Sequence, residues 1–232
     1  MTAQFRTLVT ITDPLILQSQ QMIEQMFSSG IDGVIIDLVG SLGEAASIVE
    51  AFAAITAAVR HKPRPPIYVR LPSLDHADAI ALLGTTIAAG IEGIVQTEVT
   101  SGQDVTRLDA RISVEEAIQS REQGQIGILA EVADTARAAL SLPTFHGASH
   151  RLHGLIWSPS RLAQDLGLAS LARPNGQWLT PAGFVAGHCV IAAAAAGVPP
   201  ILDTDALWPE YSVEERRLMA EADGFRATLI HL

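Results

Sequence analysis

Short apolar runs alternate with amphipathic stretches along the whole chain. Each run is rich in β-branched residues, as buried strands are, and the stretches between them place apolar residues at i, i+3, i+4 and i+7, as residues 43–60 do. At four points, within residues 28–37, 88–97, 121–130 and 195–204, a glycine suited to a helix C-cap precedes the next run. The pattern therefore predicts that strands and helices alternate.

About eight strands can be counted, in the runs TLVTIT, GVIIDL, PIYVRL, GIVQTE, IGILAEV, HGLIWS, PPILDT and ATLIHL. This alternation predicts the α/β class and a (β/α)8 barrel of the TIM type, as a single domain over residues 1–232. The alternative is a doubly wound open sheet, but its first strand-to-helix turn should be glycine-rich and TITDPLILQ is not. Because the last strand reaches Leu232, the final closing helix is expected to be missing, with a partner subunit or an earlier helix covering that side.

Composition narrows the classes of function. The net charge is −10, with 15 Lys and Arg against 25 Asp and Glu, so neither nucleic acid nor a membrane surface is an expected partner. Although 48% of the residues are hydrophobic, no apolar run reaches the roughly 18 residues of a membrane span, and no export leader is expected. Cys189, the single cysteine, is predicted to be a core thiol in a cytoplasmic protein.

In such a barrel the reacting groups stand at the C-terminal ends of the strands. The candidates there are Asp13, Asp37, Arg70, Glu98, Glu131 with Asp134, Arg161, and Asp203 with Asp205. Carboxylates with two arginines suit an anionic substrate and a divalent cation. Structural roles are the alternative for three of them, with Asp13 as a helix N-cap and Asp203 and Asp205 as an Asx turn. Arg70 directly follows a buried run, so it needs an anion as its partner.

The histidines offer no clear acid–base group at this stage. His61, His76, His146, His150 and His153 are predicted to be loop or surface residues, and His188 a helix residue without metal-ligand spacing. An enolising enzyme needs a general base, and none is identified at a strand end.

Six segments in order resemble the HpcH/HpaI aldolase and citrate lyase β-subunit superfamily. They are GVIIDLVGS, IYVRL, GIVQTEVTSGQDV, DTARAALSL, HGLIWSPSRLAQDLGL and GFRATLIHL. The resemblance implies a modified (β/α)8 barrel that cleaves or forms carbon–carbon bonds, usually as a trimer or hexamer. It also implies Mg²⁺ or Mn²⁺ as cofactor and a small anionic substrate, either a 2-oxo acid or an acyl-CoA, that reacts through an enolate. In the family, two carboxylates bind the metal and the fourth strand usually carries a Lys. The resemblance places Asp134 and Arg161 at the two carboxylate positions and Glu98 at the position of the Lys.

Arg161 changes what the resemblance implies, because a guanidinium cannot ligate a cation and repels one nearby. One hypothesis is that Glu98 and Arg161 have exchanged charges and pair across the barrel mouth beside Asp134. Alternatively, Arg161 points outward and leaves Glu98 and Asp134 to bind the metal. In a lyase, Arg70 binds the substrate carboxylate, Asp37 orients water and Arg161 stabilises the enolate. The other interpretation is a non-catalytic relative that binds an anionic ligand or a protein partner without metal.

Overall fold

The computed structural model describes residues 5–12, 21, 30–37, 53, 64–173, 176–205, 207–208 and 210–232. Eight parallel strands form a closed barrel in chain order, with β1 paired to both β2 and β8. They are β1 (Thr7–Ile11), β2 (Gly33–Asp37), β3 (Ile67–Leu71), β4 (Gly93–Gln96), β5 (Gly127–Val132), β6 (Leu152–Trp157), β7 (Pro200–Asp203) and β8 (Ala227–His231). All eight predicted strands are present, so the predicted TIM-type barrel is confirmed.

The helices, numbered within the described residues, follow the strands on the outside of the barrel. They are α1 (Ala79–Ala89), α2 (Gly102–Ile118), α3 (Ala136–Ala139), a 3₁₀ turn (Leu142–Phe145), α4 (Pro159–Asp165), α5 (Thr180–Ala196) and α6 (Val213–Ala222). Gly90 and Gly197 end α1 and α5 with φ of 97° and 74°, as the glycine pattern predicts. The helix predicted over residues 43–60 and the N-cap predicted at Asp13 fall outside the described residues.

One layer of apolar side chains fills the inside of the barrel. Its members are Phe5, Leu8, Ile35, Tyr68, Val95, Leu129, Ile156, Ile201, Ala227 and Leu229. Tyr68 is the largest, and it fits because the next strand presents Gly93, where a Cβ would lie 2.2 Å from the tyrosine ring. His153, predicted at the surface, instead lies on β6, and its Nδ1 is 2.8 Å from the Tyr68 hydroxyl.

A second and larger core lies between the strands and the helices. Cys189 belongs to it, and burial raises the pKa of its thiol, as expected of a core cysteine. Within the described part of the chain, no helix is long and apolar enough to cross a membrane.

Candidate active site at the barrel mouth

Every strand carries a polar residue two positions after its interior apolar residue. Because side chains at i and i+2 of a strand share a face, these residues form a second inward-facing layer at the C-terminal end of the barrel. This layer, here called the mouth ring, comprises Thr10, Asp37, Arg70, Thr97, Glu131, Ser158, Asp203 and His231. The mouth ring lies where barrels of this type carry their chemistry.

Arg70 is held from two sides within the mouth ring. Its Nη1 donates a hydrogen bond to Oδ2 of Asp37 at 2.6 Å, and its Nη2 lies 2.7 Å from Oε1 of Glu131. Asp37 stands beside Arg70 in the register of β2 and β3, which explains the first contact. Arg70 therefore has the anionic partners that its buried position requires, but they are carboxylates of the protein, and the expected contact with a substrate stays a prediction.

Arg161 approaches Glu131 from above the mouth ring. Ser158 follows β6 as the N-cap of α4, which begins at Pro159. Arg161 therefore lies in the first helical turn and donates its backbone N–H to the Ser158 carbonyl at 3.2 Å. Its Nη2 is 3.3 Å from Oε2 of Glu131, and its Nη1 donates to Oδ2 of Asp134 at 3.2 Å. Arg161 therefore points inward and shares Glu131 with Arg70.

The two carboxyl groups beside Arg161 have unusual acidity. Burial raises the pKa of Asp134 to about 7, with a further rise from repulsion by Glu131 that the attraction of Arg161 only partly offsets. Burial also raises the pKa of Glu131, against the attraction of Arg70 and Arg161. Protonation at this cluster can therefore change near neutral pH.

A second polar group occupies the side of the mouth ring formed by β6, β7 and β8. Asp203 accepts a hydrogen bond from the Ser158 hydroxyl at 2.8 Å, and its Oδ1 lies 3.3 Å from Nε2 of His231. The Asp205 N–H also donates to Oδ1 of Asp203 at 3.3 Å, so the predicted Asx turn is confirmed. Asp205 itself accepts a hydrogen bond from Arg216 at 3.0 Å.

The predicted pairing of Glu98 with Arg161 is wrong. The side chain of Glu98 is 57% exposed, and Oε2 lies 3.5 Å from Nε2 of His76. Glu98 follows β4 with a left-handed backbone (φ 56°), one position past the inward-facing Thr97. Arg161 instead pairs with Glu131 and Asp134, so the predicted contact with Asp134 is present.

The residues at the mouth do not fit a divalent cation. Among the described residues there is no group of three His, Cys, Asp or Glu side chains arranged to hold a metal ion. Glu131 and Asp134 face a guanidinium, and a divalent ion about 5 Å from it would be repelled by roughly 7 kcal/mol at an effective dielectric constant of about 20. The predicted ligands Asp134 and Glu98 also have different partners, Arg161 and His76.

A cavity of about 950 Å³ lies at the opposite end of the barrel. It is lined by residues near the starts of β1, β7 and β8, including Phe5, Pro199 and Phe225. None of the mouth-ring residues lines it. Since reactions in this fold occur at the strand C-termini, the cavity is separate from the candidate site.

Sequence reasoning missed four members of the mouth ring. Thr10, Thr97, Ser158 and His231 were not among the candidates, and Glu131 was grouped with Asp134 without a role of its own. The signal was available in the alternation along each strand. Counting two residues onward from the interior apolar position selects all eight members and excludes Glu98.

A model of the HpcH/HpaI aldolase/citrate lyase family matches residues 15–225. No curated protein sequence matches the chain. Solved structures of similar fold include RipC from Yersinia pestis, with a TM-score of 0.67 and 20% identity over 100% of this chain and 91% of that chain. Macrophomate synthase has a TM-score of 0.72 and 18% identity over 98% and 78%. The protein CitE from Mycobacterium tuberculosis, in complex with magnesium and pyruvate, has a TM-score of 0.64 and 20% identity over 99% and 86%.

These structures share the barrel with this chain, and the family match extends over most of its length. The resemblance seen in the six ordered segments is thereby confirmed. The chain belongs to the HpcH/HpaI aldolase/citrate lyase family.

Proposed function

We propose that the protein is a carbon–carbon lyase or aldolase in which Arg161 supplies the positive charge that a cation supplies elsewhere in the family. Its substrate is a short 2-oxo acid, a 3-hydroxy acid or the CoA ester of such an acid. The observation that carries the proposal is the position of the Arg161 guanidinium between Glu131 and Asp134 at the mouth of the barrel.

Arg161 has the properties that the reaction requires. When a carbon–carbon bond next to a carbonyl breaks, its electron pair forms an enolate whose negative charge lies on oxygen. A guanidinium keeps its charge at every relevant pH and has five N–H donors, of which the two carboxylates engage two. The Arg161 side chain is 37% exposed, so a substrate oxygen can reach the remaining donors.

Arg70 is proposed to bind the substrate carboxylate from the floor of the site. Its side chain is buried, and its Nε has no hydrogen-bond partner among the residues described. Asp37 fixes the Arg70 guanidinium through Nη1, so the position of Nε is set before a substrate arrives. Asp37 is therefore proposed to position Arg70. The predicted role of Asp37 in orienting water applies to a metal-dependent reaction.

A non-catalytic relative that binds an acid without metal is the second candidate. It is favoured by the pairing of both guanidinium groups with carboxylates, which weakens their pull on a reacting oxygen. Such a protein would bind a 2-oxo acid and leave it unchanged.

Proton exchange at carbon separates the candidates. Chelator-treated protein in D₂O is mixed with pyruvate or 2-oxobutanoate, and NMR follows deuterium entering the carbon next to the carbonyl. We expect exchange that added Mg²⁺ does not change and that Arg161→Gln lowers by at least about 100-fold. Arg107→Gln is the matched control, because Arg107 also pairs with two carboxylates, Asp75 and Asp104, but on the outer surface.

Calorimetry with Mg²⁺ and Mn²⁺ tests the remodelled site directly. We expect no binding by the natural sequence and binding in the micromolar-to-millimolar range by Arg161→Asp, which removes the cation and adds a ligand. Metal binding by the natural sequence, with exchange stimulated by metal, would overturn the role of Arg161. Binding of pyruvate without any exchange would identify the non-catalytic relative.

We also propose that the protein is a homo-oligomer, a trimer or hexamer. Phe184 and Ile191 lie seven residues apart on α5, and both side chains are exposed. Leu140, which shortly precedes the 3₁₀ turn in the sequence, is also exposed. Apolar side chains at this spacing share one helix face and suit an interface with a second copy. Light scattering on the purified protein gives the subunit number, and a monomer would contradict the proposal.

A further inference from the structure

His231 is placed at the mouth of the barrel by the pairing of the last strand. It is the final residue of β8 and stands beside Thr10 in the register with β1. Its side chain is 27% exposed, and Nε2 lies 3.3 Å from Oδ1 of Asp203 on β7. The imidazole therefore has one nitrogen engaged and an edge that solvent or a ligand can reach.

Asp203 is held firmly enough to orient the imidazole. Its other contacts are the Ser158 hydroxyl at 2.8 Å and the Asp205 N–H at 3.3 Å. Burial alone would raise the pKa of Asp203, but the hydrogen bond and charge of His231, with those two donors, hold it below its usual value. Asp203 is thus an ionised acceptor that fixes the tautomer in which Nε2 of His231 carries the proton.

The charges that face His231 come from two of the elements around it. Asp203 and Asp205 lie on and after β7, Arg70 approaches from β3, and Thr10 on β1 is uncharged. The hydrogen bond that His231 donates to Asp203 raises the pKa of His231, against burial and the repulsion of Arg70. The imidazole therefore holds its proton more strongly than an isolated histidine side chain does.

Two buried polar atoms belong to residues of the barrel mouth. Oγ1 of Thr10 and Oδ1 of Asp134 have no hydrogen-bond partner among the described residues, although both atoms are buried. Arg161 and Asp203 are close enough for their charges to influence each other. Asp203, which contacts His231, therefore links the imidazole electrostatically to Arg161.

We propose that His231 is the catalytic acid–base residue of this site and that Asp203 is its positioning residue. The inference rests on the proposed lyase or aldolase function and names the group that this reaction needs. Sequence reasoning identified no general base, and among the described mouth-ring residues His231 is the only histidine.

The step moves one proton from oxygen to carbon. Nδ1 of neutral His231 takes the proton of the substrate hydroxyl, whose oxygen then forms the new carbonyl as the adjacent carbon–carbon bond breaks. The electron pair of that bond forms the enolate, with its charge on the oxygen beside Arg161. Imidazolium His231 returns the proton to the enolate carbon, so the free 2-oxo acid or thioester forms without an added oxidant, reductant or net proton.

The exchange assay in D₂O with pyruvate tests this assignment, because the same imidazole removes and returns a proton at the carbon next to the carbonyl. We expect His231→Gln to lower exchange by at least about 100-fold while pyruvate still binds in calorimetry. Added imidazole should restore part of the exchange in His231→Ala and none in Arg161→Gln. His150→Gln is the matched control, since His150 also faces an aspartate, Asp109, but at the other end of the barrel.

Asp203→Asn gives a second measurement that a merely structural role would not change. Because Asp203 raises the pKa of His231, the variant's exchange rate should rise with pH at lower pH than in the natural sequence. If the natural sequence exchanges protons and His231→Gln exchanges at the same rate, His231 is not the base although the proposed function stands. If the natural sequence exchanges none of the acids tested, the proposed function and the role of His231 are both overturned.

Discussion

Two arginine–carboxylate clusters stand at opposite ends of this barrel, and they are built from almost the same parts. At the mouth, Arg70 contacts Glu131 and Asp37, with side-chain exposures of 3%, 0% and 18%. At the N-terminal end, Arg151 contacts Glu116 and Asp109, with exposures of 2%, 0% and 18%. The exposed fractions and the charges of these three side chains are therefore alike in the two clusters.

Hydrogen bonding differs between the two clusters. All three guanidinium nitrogens of Arg151 donate, and its acceptors are Asp109, Glu116, the Ser113 hydroxyl and the Ile126 carbonyl. Glu116 also accepts from the N–H groups of Gly124 and Ile126. Burial alone would raise the pKa of Glu116, yet these hydrogen bonds hold it below its usual value.

In the cluster at the mouth, the buried Glu131 has fewer hydrogen bonds than Glu116 has. Neither oxygen of Glu131 has a well-directed hydrogen bond from the described residues, although both are close to a guanidinium. Its pKa is raised, whereas that of Glu116 is lowered. A completed network stabilises the fold, and an incomplete one retains the capacity to bind and to exchange protons.

Removing the central arginine should break the N-terminal cluster most severely. We expect Arg151→Met to lower the free energy of unfolding by about 3–5 kcal/mol, since it leaves Glu116 buried without its cation. Arg70→Met should cost less, about 1–3 kcal/mol, because Glu131 keeps its contact with Arg161. Urea unfolding of both variants measures the difference, and equal costs would show that the two clusters are energetically alike.

The unusual acidity at the mouth predicts a pH-dependent stability. The pKa of Asp134 is about 7 in the folded protein against a usual value of 3.8, so the folded state holds a proton that the unfolded state releases. This group's contribution to the free energy of unfolding is therefore full below about pH 4 and is lost as the pH rises through about 7.

Asp134→Asn removes the titrating group while keeping an oxygen that accepts from Arg161. We expect the variant to gain up to about 4 kcal/mol over the natural sequence at pH 9 and little at pH 4. Urea unfolding at several pH values measures this gain. Glu116→Gln should behave oppositely, losing stability at pH 9, because the pKa of Glu116 is lowered. A gain for Asp134→Asn that is the same at every pH would contradict the assignment.

The sequence alone predicts the barrel because the strands of a parallel sheet are apolar on both faces and leave a continuous signal. It also places Asp37, Arg70 and Arg161 at the same end of the barrel, since all lie at or just after the C-terminal ends of strands. It fails for Glu98, which looks equivalent in position but lies past the strand on a left-handed turn that aims it at His76. The order of motifs predicts where a residue lies along the chain. The direction of its side chain depends on where the strand ends.

Glu131 and His231 show which features of the site the sequence can predict and which it cannot. Both face inward because they stand two residues beyond Leu129 and Leu229, which belong to the interior apolar layer. The acidity of Glu131 then depends on two arginines from β3 and α4 that meet only in the folded barrel. The sequence predicts which side chains of a strand face inward, because these alternate along the strand. It does not predict contacts between elements that are far apart in the chain.

Arg161→Gln is expected to change stability least and to distinguish a functional role of Arg161 from a structural one. Arg161 is partly exposed, and its ion pairs of 3.2 and 3.3 Å are longer than the 2.6 Å ion pairs of Arg151. We therefore expect Arg161→Gln to change the free energy of unfolding by less than about 1 kcal/mol. The melting temperature should then move by no more than about 4 °C for a chain of this length. The same variant is expected to lose proton exchange, whereas Arg151→Met should keep exchange per folded molecule. A loss of several kcal/mol in Arg161→Gln would make Arg161 a structural group like Arg151, and the distinction between the two clusters would then disappear.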